Sequence, residues 1–389
     1  MVVAHHGTHT HGIHAEVANR YRDCDGDWDD EPQARDYLEE RGRAQCQWGS
    51  RLKSQCSTSD RADWREQLRF DPLPRLLSSA NKSITFLVRR DLLDEKVDLG
   101  ENLWQLPEAE RILSRQLNDG AWKYAGGKKR IRSEDNYNQI ETYRILGQLV
   151  EKHVFNRRHP AIVRAADYFF SHQTKEGDFA RGILGNQYAP YYSAVIMELL
   201  IKAGYGADPR IKRGFQWLLA IRQSDGGWAI PFRTIGARFG GKTNWKRILN
   251  ADTIAPDLSK SFSHMVTGMV LRAFAAHSEY RRSGEAVAAG RLLASRFFRR
   301  DVYPDRQSVA FWTKFSYPFW FTDLLSALDS LSLMEFSRDD PQVSRALDWF
   351  IARQKEDGTW KLPTVRGKDR DPLWISLAIC RVFKRLCGE

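Results

Sequence analysis

Residues 213–228 read RGFQWLLAIRQSDGGW. An apolar helical stretch runs into Gln223, an acidic residue and glycine follow, and the phrase closes on Trp228. The same order recurs in ILSRQLNDGAWKY (112–124), YFFSHQTKEGDFA (168–180) and WFIARQKEDGTWKLP (349–363). Gln116, Gln173 and Gln354 take the glutamine place, and Trp122, Phe179 and Trp360 the aromatic one. Successive aromatics lie 57, 49 and 132 residues apart, and the last interval has room for two further units and an insertion. A period of about 50 residues marks a repeat architecture, in which no unit buries its apolar face alone. Each unit has a physical logic. An amphipathic helix ends at a glycine able to take the left-handed conformation. The glutamine can bond backbone groups left free at the helix end, and the aromatic ring can wedge between neighbouring helices.

A second series falls between these phrases: KSITFLVRRDLL, NQIETYRILGQL, PYYSAVIMELLI, SHMVTGMVLRAF, FWFTDLLSALDS and LWISLAICRVFK. Each carries one hydroxyl at a corresponding place: Thr85, Thr142, Ser193, Thr267, Thr322 and Ser376. Each is apolar on nearly all sides, as a helix covered on both sides should be. Pro190, Pro318 and Pro372 stand near first turns, where the missing N–H costs nothing. Five more polar helices are expected at about 105–117, 160–174, 207–223, 283–299 and 340–355, with residues 60–75 as a sixth. Inner helices alternating with outer ones around a ring give an all-α fold, an α6/α6 toroid.

The phrase 213–228 closely resembles the QW repeat of the prenyltransferase and squalene oxidase repeat superfamily. The implied ring is similar to the C-terminal half of squalene–hopene cyclases and to the β subunits of protein prenyltransferases, in a poorly characterised prokaryotic branch. That resemblance implies an isoprenoid-like or other anionic amphiphile as ligand. Two departures bear on chemistry. Class II cyclases place a D-x-D-D acid on an inner helix, and none of the six carries it. Protein prenyltransferases bind zinc through a D-x-C pair and a distant histidine; Ala378 stands where Cys380 would need the acid. No metal and no cofactor are expected.

The chain has 389 residues, a net charge of +11 and a pI of about 9.4. That balance favours an anionic partner: a diphosphate-bearing small molecule, an anionic membrane surface or an acidic protein. Nucleic acid is not expected. The start, MVVAHHGTHTHGIH, lacks the cationic end and apolar stretch of a signal peptide, so a cytoplasmic protein, peripheral on a membrane at most, is the expectation. Cysteines at 24, 46, 56, 380 and 387 form no C-x-x-C pair and read as free thiols. Residues 1–65 are polar and His-rich, too poor in apolar periodicity to offset ordering entropy, and read as a disordered tail before a 66–389 toroid. His5, His6, His9, His11 and His14 would hold a metal only loosely. DWDD (27–30) spells the cyclase acid, but a polar tail has no cavity to keep it protonated.

GARFGGKT (236–243) fits the phosphate-loop pattern G-x-x-x-x-G-K-[ST]. Such a loop needs a strand before it within a parallel sheet; Pro231 interrupts the only preceding candidate, and no other strand is available. Residues 231–261 therefore read as an insertion. Its Arg233, Arg238, Lys242, Lys246 and Arg247, with Lys128, Lys129, Arg130 and Arg132 and with Arg366, Lys368 and Arg370, should lie on one rim, at inner-helix N-termini that favour anions. Below that rim, Tyr191, Tyr192, Tyr317, Trp320, Phe321 and Trp374 are the expected cavity aromatics, able to stabilise cations. Asp323, Glu141 and His264 interrupt apolar helices and are the acid–base candidates. A non-catalytic interaction ring is the alternative, and polysaccharide processing, which needs paired carboxylates, a weaker one.

Overall fold

The computed structural model of the chain describes residues 63–124, 134–235, 245–334, 336–365 and 372–387. The His-rich start, DWDD, GARFGGKT, Lys128, Lys129, Arg130, Arg132, Arg238, Lys242, Arg366, Lys368 and Arg370 lie outside them, as do the side chains of Lys246 and Arg247. Among the described residues the protein is all-helical, with isolated bridges and no strand.

In chain order, α1 (Leu73–Leu77) and α2 (Lys82–Asp91) come first, then α3 (Pro107–Leu113), α4 (Glu134–His153) and α5 (Pro160–Ser171). Next are α6 (Pro190–Leu200, continued by a π turn, Ile201–Tyr205) and α7 (Pro209–Ala220). Two short helices, α8 (Pro231–Thr234) and α9 (Trp245–Asn250), occupy the insertion. The rest are α10 (His264–Ala276), α11 (Gly284–Ser295), α12 (Leu324–Leu331), α13 (Pro341–Ile351) and α14 (Leu373–Cys387).

Every residue of α6 is buried, and so is every residue of α10 except Ala276. By contrast α5, α7 and α13 bury one face. The buried helices touch in the order α2, α4, α6, α10, α12, α14, and α14 touches α2 again, so six helices close a cycle. The more polar α3, α5, α7, α11 and α13 each pack on a helix of the cycle.

The repeated phrase pins each unit in the same way. Trp122, Phe179, Trp228 and Trp360 donate their backbone N–H to the hydroxyls of Thr142, Ser193, Thr267 and Ser376, at 2.9, 2.6, 2.9 and 3.1 Å. The indole Nε1 of Trp122, Trp228 and Trp360 donates to the carbonyl ten residues back, at 2.8, 2.7 and 2.8 Å, on or beside the preceding outer helix. Trp312 plays the same part without the glutamine phrase, donating to the Arg299 carbonyl at 2.9 Å. Each wholly buried indole removes roughly 200 Å² from water, about 4–5 kcal/mol as an upper bound. Gln116, Gln173 and Gln354 donate across to the next outer segment, at the carbonyls of Ala161 (2.8 Å), Arg210 (2.8 Å) and Phe70 (2.7 Å). The motif glycine is obligatory where packing is closest. Gly120 has φ +93° and a Cβ there would collide with the Arg164 carbonyl; Gly358, at φ +76°, would strike that of Asp71.

Three expectations need correction. The inner helix expected over 319–330 starts only at Leu324, because Asp323 accepts from the Ser326 N–H and Ser326 answers with its hydroxyl, a capping box that fixes the first turn there. Pro318 therefore precedes the helix, after a cis peptide, and Phe319–Phe321 lie in an irregular segment. Thr85 and Thr322 do not take the repeat hydroxyl role: Thr85 turns back to the Lys82 carbonyl and Thr322 donates to that of Met265. The sixth outer helix expected over 60–75 is instead, in its described part, a 3-10 turn (Trp64–Gln67) and α1, parted by a bend at Leu68–Phe70. Trp64 is buried in the core.

Candidate binding cavity

A cavity of about 230 Å³ lies where α4, α6 and α10 meet the segment 316–320. Its aromatic wall is Tyr143, Tyr317, Phe319 and Trp320, and Leu199, Pro318 and Val365 complete the apolar part. Three cations line it, Arg144, Lys152 and Arg272, and among the described residues no carboxylate does. The irregular segment is what brings the aromatics in. Tyr143 on α4 donates to the Phe319 carbonyl at 3.1 Å and lies 5.5 Å from the Trp320 ring, while Ser316 Oγ accepts from the Trp320 N–H at 3.0 Å.

Behind Arg272 runs a buried charge network. Its Nη2 meets Glu198 Oε2 at 2.6 Å. Glu198 also accepts from Lys202 at 2.8 Å, and Lys202 reaches Glu151 at 2.5 Å. Tyr317 donates to Glu151 (3.4 Å) and accepts from Arg381 (2.7 Å), which grips Asp91 (2.8 Å). Arg385 pairs with Asp329. Apart from Tyr317, in the irregular segment, and Lys202, in the π turn that continues α6, these residues come from the six helices of the cycle, each within the last two turns, where cations also meet the negative end of the helix dipole. Burial alone would neutralise them, but partners prevail. Burial opposes the ionised form of Glu198, yet Arg272 and Lys202 hold its carboxyl below the usual range. Burial likewise works against charged Lys202, and Glu151 and Glu198 outweigh it, raising its pKa.

Of the expected site residues, Tyr317 and Trp320 line the cavity. Tyr191 and Tyr192 are buried in the core beside each other (4.6 Å between rings), Phe321 carries the Arg306 guanidinium 3.7 Å over its face, and Trp374 stacks on Tyr317 at 5.7 Å. Arg233 is held by Asp305 at 2.6 and 2.7 Å. None of the acid–base candidates lines the cavity, and their settings differ. Asp323 caps α12, and burial pushes its carboxyl up to about 7. Glu141 pairs with Arg144 at 2.5 Å. His264 begins α10 against Trp312 (4.6 Å), with Nε2 3.6 Å from Asp301 and Nδ1 buried without a partner; burial drops its pKa to about 4. Among the described residues no group of three or more His, Cys, Asp and Glu could hold a metal, and no helix is long and apolar enough to cross a membrane.

No family model matches the chain. One stretch is similar to the squalene–hopene cyclase of Bradyrhizobium diazoefficiens, 25% identical over 169 residues, which is 40% of this chain. The match spans about a fifth of that relative's length, 21%. A crystal structure of a protein from Actinoplanes overlays 78% of this chain and 99% of its own with a TM-score of 0.36 and 14% identity. The sequence likeness makes the relationship terpenoid-cyclase-like.

Proposed function

We propose that the closed cycle is an α/α toroid built of prenyltransferase and squalene oxidase (QW) repeats, and that it holds a small amphiphile in the aromatic cavity. The observation that carries this reading is the wall of Tyr143, Tyr317, Phe319 and Trp320 set beside Arg144, Lys152 and Arg272. Rings and cations on one wall suit a ligand with an apolar body and a negative end. The volume equals about seven or eight waters, just under the range usual for small-molecule sites. It admits a head group and a short hydrocarbon, not a long polyene. Recognition is favoured over turnover because Asp323, Glu141 and His264 all stand off the lining.

The test is calorimetry of the full chain with prenol, isopentenyl diphosphate and geranyl diphosphate, alongside native mass spectrometry for a retained lipid. Micromolar binding weakened tenfold or more by Trp320→Ala supports the reading. A protein that is purified empty and takes up none of the three refutes it. The same volume favours a second reading, a non-catalytic interaction ring whose middle is filled by the Arg272–Glu198–Lys202–Glu151 network. Polysaccharide cleavage finds no support in the cavity, which no carboxylate lines among the described residues.

A further inference from the structure

We infer that residues 299–309, in the connection between α11 and α12, are a docking surface for an anionic lipid bilayer. The inference goes beyond the cavity and does not depend on whether the cavity holds a ligand.

The loop is built inside out. A surface loop ordinarily turns its charges to water and its apolar groups inward. Here Val302 and Val309 are 49% and 37% exposed, while Asp301 and Arg306 are 3% and 6%. The inward residues serve as anchors. Asp301 accepts from Ser263 Oγ at 2.8 Å and from the Met265 N–H at 3.0 Å, at the start of α10. The Arg306 guanidinium lies 3.7 Å over the Phe321 ring. Asp305 holds Arg233, and Tyr303 donates its hydroxyl to the Ser261 carbonyl at 2.7 Å. With four residues tied down in this way, the valines face out because the loop is fixed so, not because it frays.

The same ties set the sign of the exposed charge. Both acids of the loop are engaged inward, and Arg299 and Arg300 stay on the outside. The Asp301 N–H donates to the Gln307 carbonyl at 3.0 Å, and Arg300 Nη2 reaches Gln307 Oε1 at 2.9 Å. These bonds draw the two arms of the loop together and gather the two arginines and the two valines into one patch. The wider stretch is positive as well: residues 281–314 hold eight lysines and arginines against three acids.

Apolar tips beside cations select the partner. Two valines are a small anchor for a protein interface, which covers about 800 Å² on each side. A bilayer asks for less, a shallow insertion of apolar side chains at the head-group boundary. Each arginine held near anionic lipid then tightens binding about fivefold.

The experiment is flotation of the full chain, at physiological salt, with vesicles of phosphatidylcholine alone and of phosphatidylcholine and phosphatidylglycerol in equal parts. Binding to the anionic vesicles at least about tenfold tighter than to the neutral ones is expected, and Arg299→Gln with Arg300→Gln should weaken it by about tenfold or more. Val302→Asn should weaken it several-fold. All three side chains are exposed, and urea unfolding checks that the variants keep the wild-type fold. Arg111→Gln with Arg115→Gln removes the same charge from exposed positions at α3 and should change binding little. Equal losses from the two arginine pairs would mark attraction by net charge alone and overturn the inference. So would anionic binding that Val302→Asn leaves unchanged, the behaviour of a site for an acidic protein. A chain that floats with neither vesicle overturns it too, and each of these outcomes leaves the cavity reading untouched.

Discussion

Gln354, near the end of the chain, donates from Nε2 to the Phe70 carbonyl at 2.7 Å and accepts from the backbone N–H groups of Arg69 (2.9 Å) and Phe70 (3.1 Å). One amide thus joins the last repeat to the first outer segment, by the bond that Gln116 and Gln173 make between adjacent repeats. In a repeat stack the terminal units normally end on solvent; here the glutamine that would be left over finds the other terminus. Gln223 departs from the rule. The insertion takes the place of the next outer segment, and its Nε2 donates to the Asp257 and Lys260 carbonyls instead.

The first prediction concerns that joint. Gln354→Ala leaves two backbone N–H groups and two carbonyls without their partner. The expected cost is about 2 kcal/mol, from the partly buried groups left unsatisfied. Urea unfolding checks it. A change below a few tenths of a kcal/mol would show that the first and last segments are held by apolar packing alone.

The second concerns the hydroxyl that accepts from the backbone N–H of the repeat aromatic. Thr267→Val keeps the shape of the side chain but removes the acceptor of the Trp228 N–H, both groups being wholly buried. A loss of about 1–3 kcal/mol is expected, with Thr267→Ser recovering most of it. Thr85→Val makes the control, since that hydroxyl serves only its own first turn and should change stability little. Equal losses at both positions would remove the repeat hydroxyl from the account.

The third is a dependence on pH. Burial raises Asp323 from 3.8 to about 7. In that window the folded state keeps a proton that the unfolded state has released, so stability is fullest below about pH 4, falls as pH rises, and levels above about 7. The shift corresponds to about 4 kcal/mol in all. Asp323→Asn keeps the neutral cap acceptor and should cancel the fall, becoming the more stable protein at pH 8. Burial moves His153 and His264 the other way, from 6.5 to about 4. Their contribution is present above pH 6.5 and lost as pH falls toward 4. Denaturant curves at several pH values separate the two; parallel curves for wild type and Asp323→Asn would rule out a buried acid.

The helical repeat was legible because its signals are local: a period in apolar residues, a glycine where only glycine fits, a glutamine and a tryptophan at fixed offsets. The charge network escaped notice although it also has a spacing. Glu198, Arg272 and Arg381 each stand five residues after the repeat hydroxyl, Ser193, Thr267 and Ser376. One charge on an apolar helix reads as an isolated exception, and its counter-ion lies on another helix far along the chain. The aromatic run 319–321 misled for a different reason. Its apolar character suits a helix, but the Asp323 and Ser326 pair, a cap visible in the sequence, sets the start three residues beyond it.

The fourth prediction separates what the buried network contributes to stability from what it contributes to binding. Arg272 and Glu198 are 4% and 2% exposed and meet at 2.6 Å. Removing Arg272 leaves the buried Glu198 with Lys202 as its one remaining cation, so Arg272→Met should cost up to about 3–5 kcal/mol. Replacing both by apolar groups of similar volume removes two desolvation penalties together, and Arg272→Met with Glu198→Met should recover most of that loss. Lys202 tolerates this because Glu151 remains at 2.5 Å. The double variant is then a folded protein without the guanidinium. If it keeps the stability of wild type but no longer binds geranyl diphosphate, the arginine is retained for its ligand. If the two losses simply add, the pair is part of the framework and each charge is held for reasons other than its neighbour.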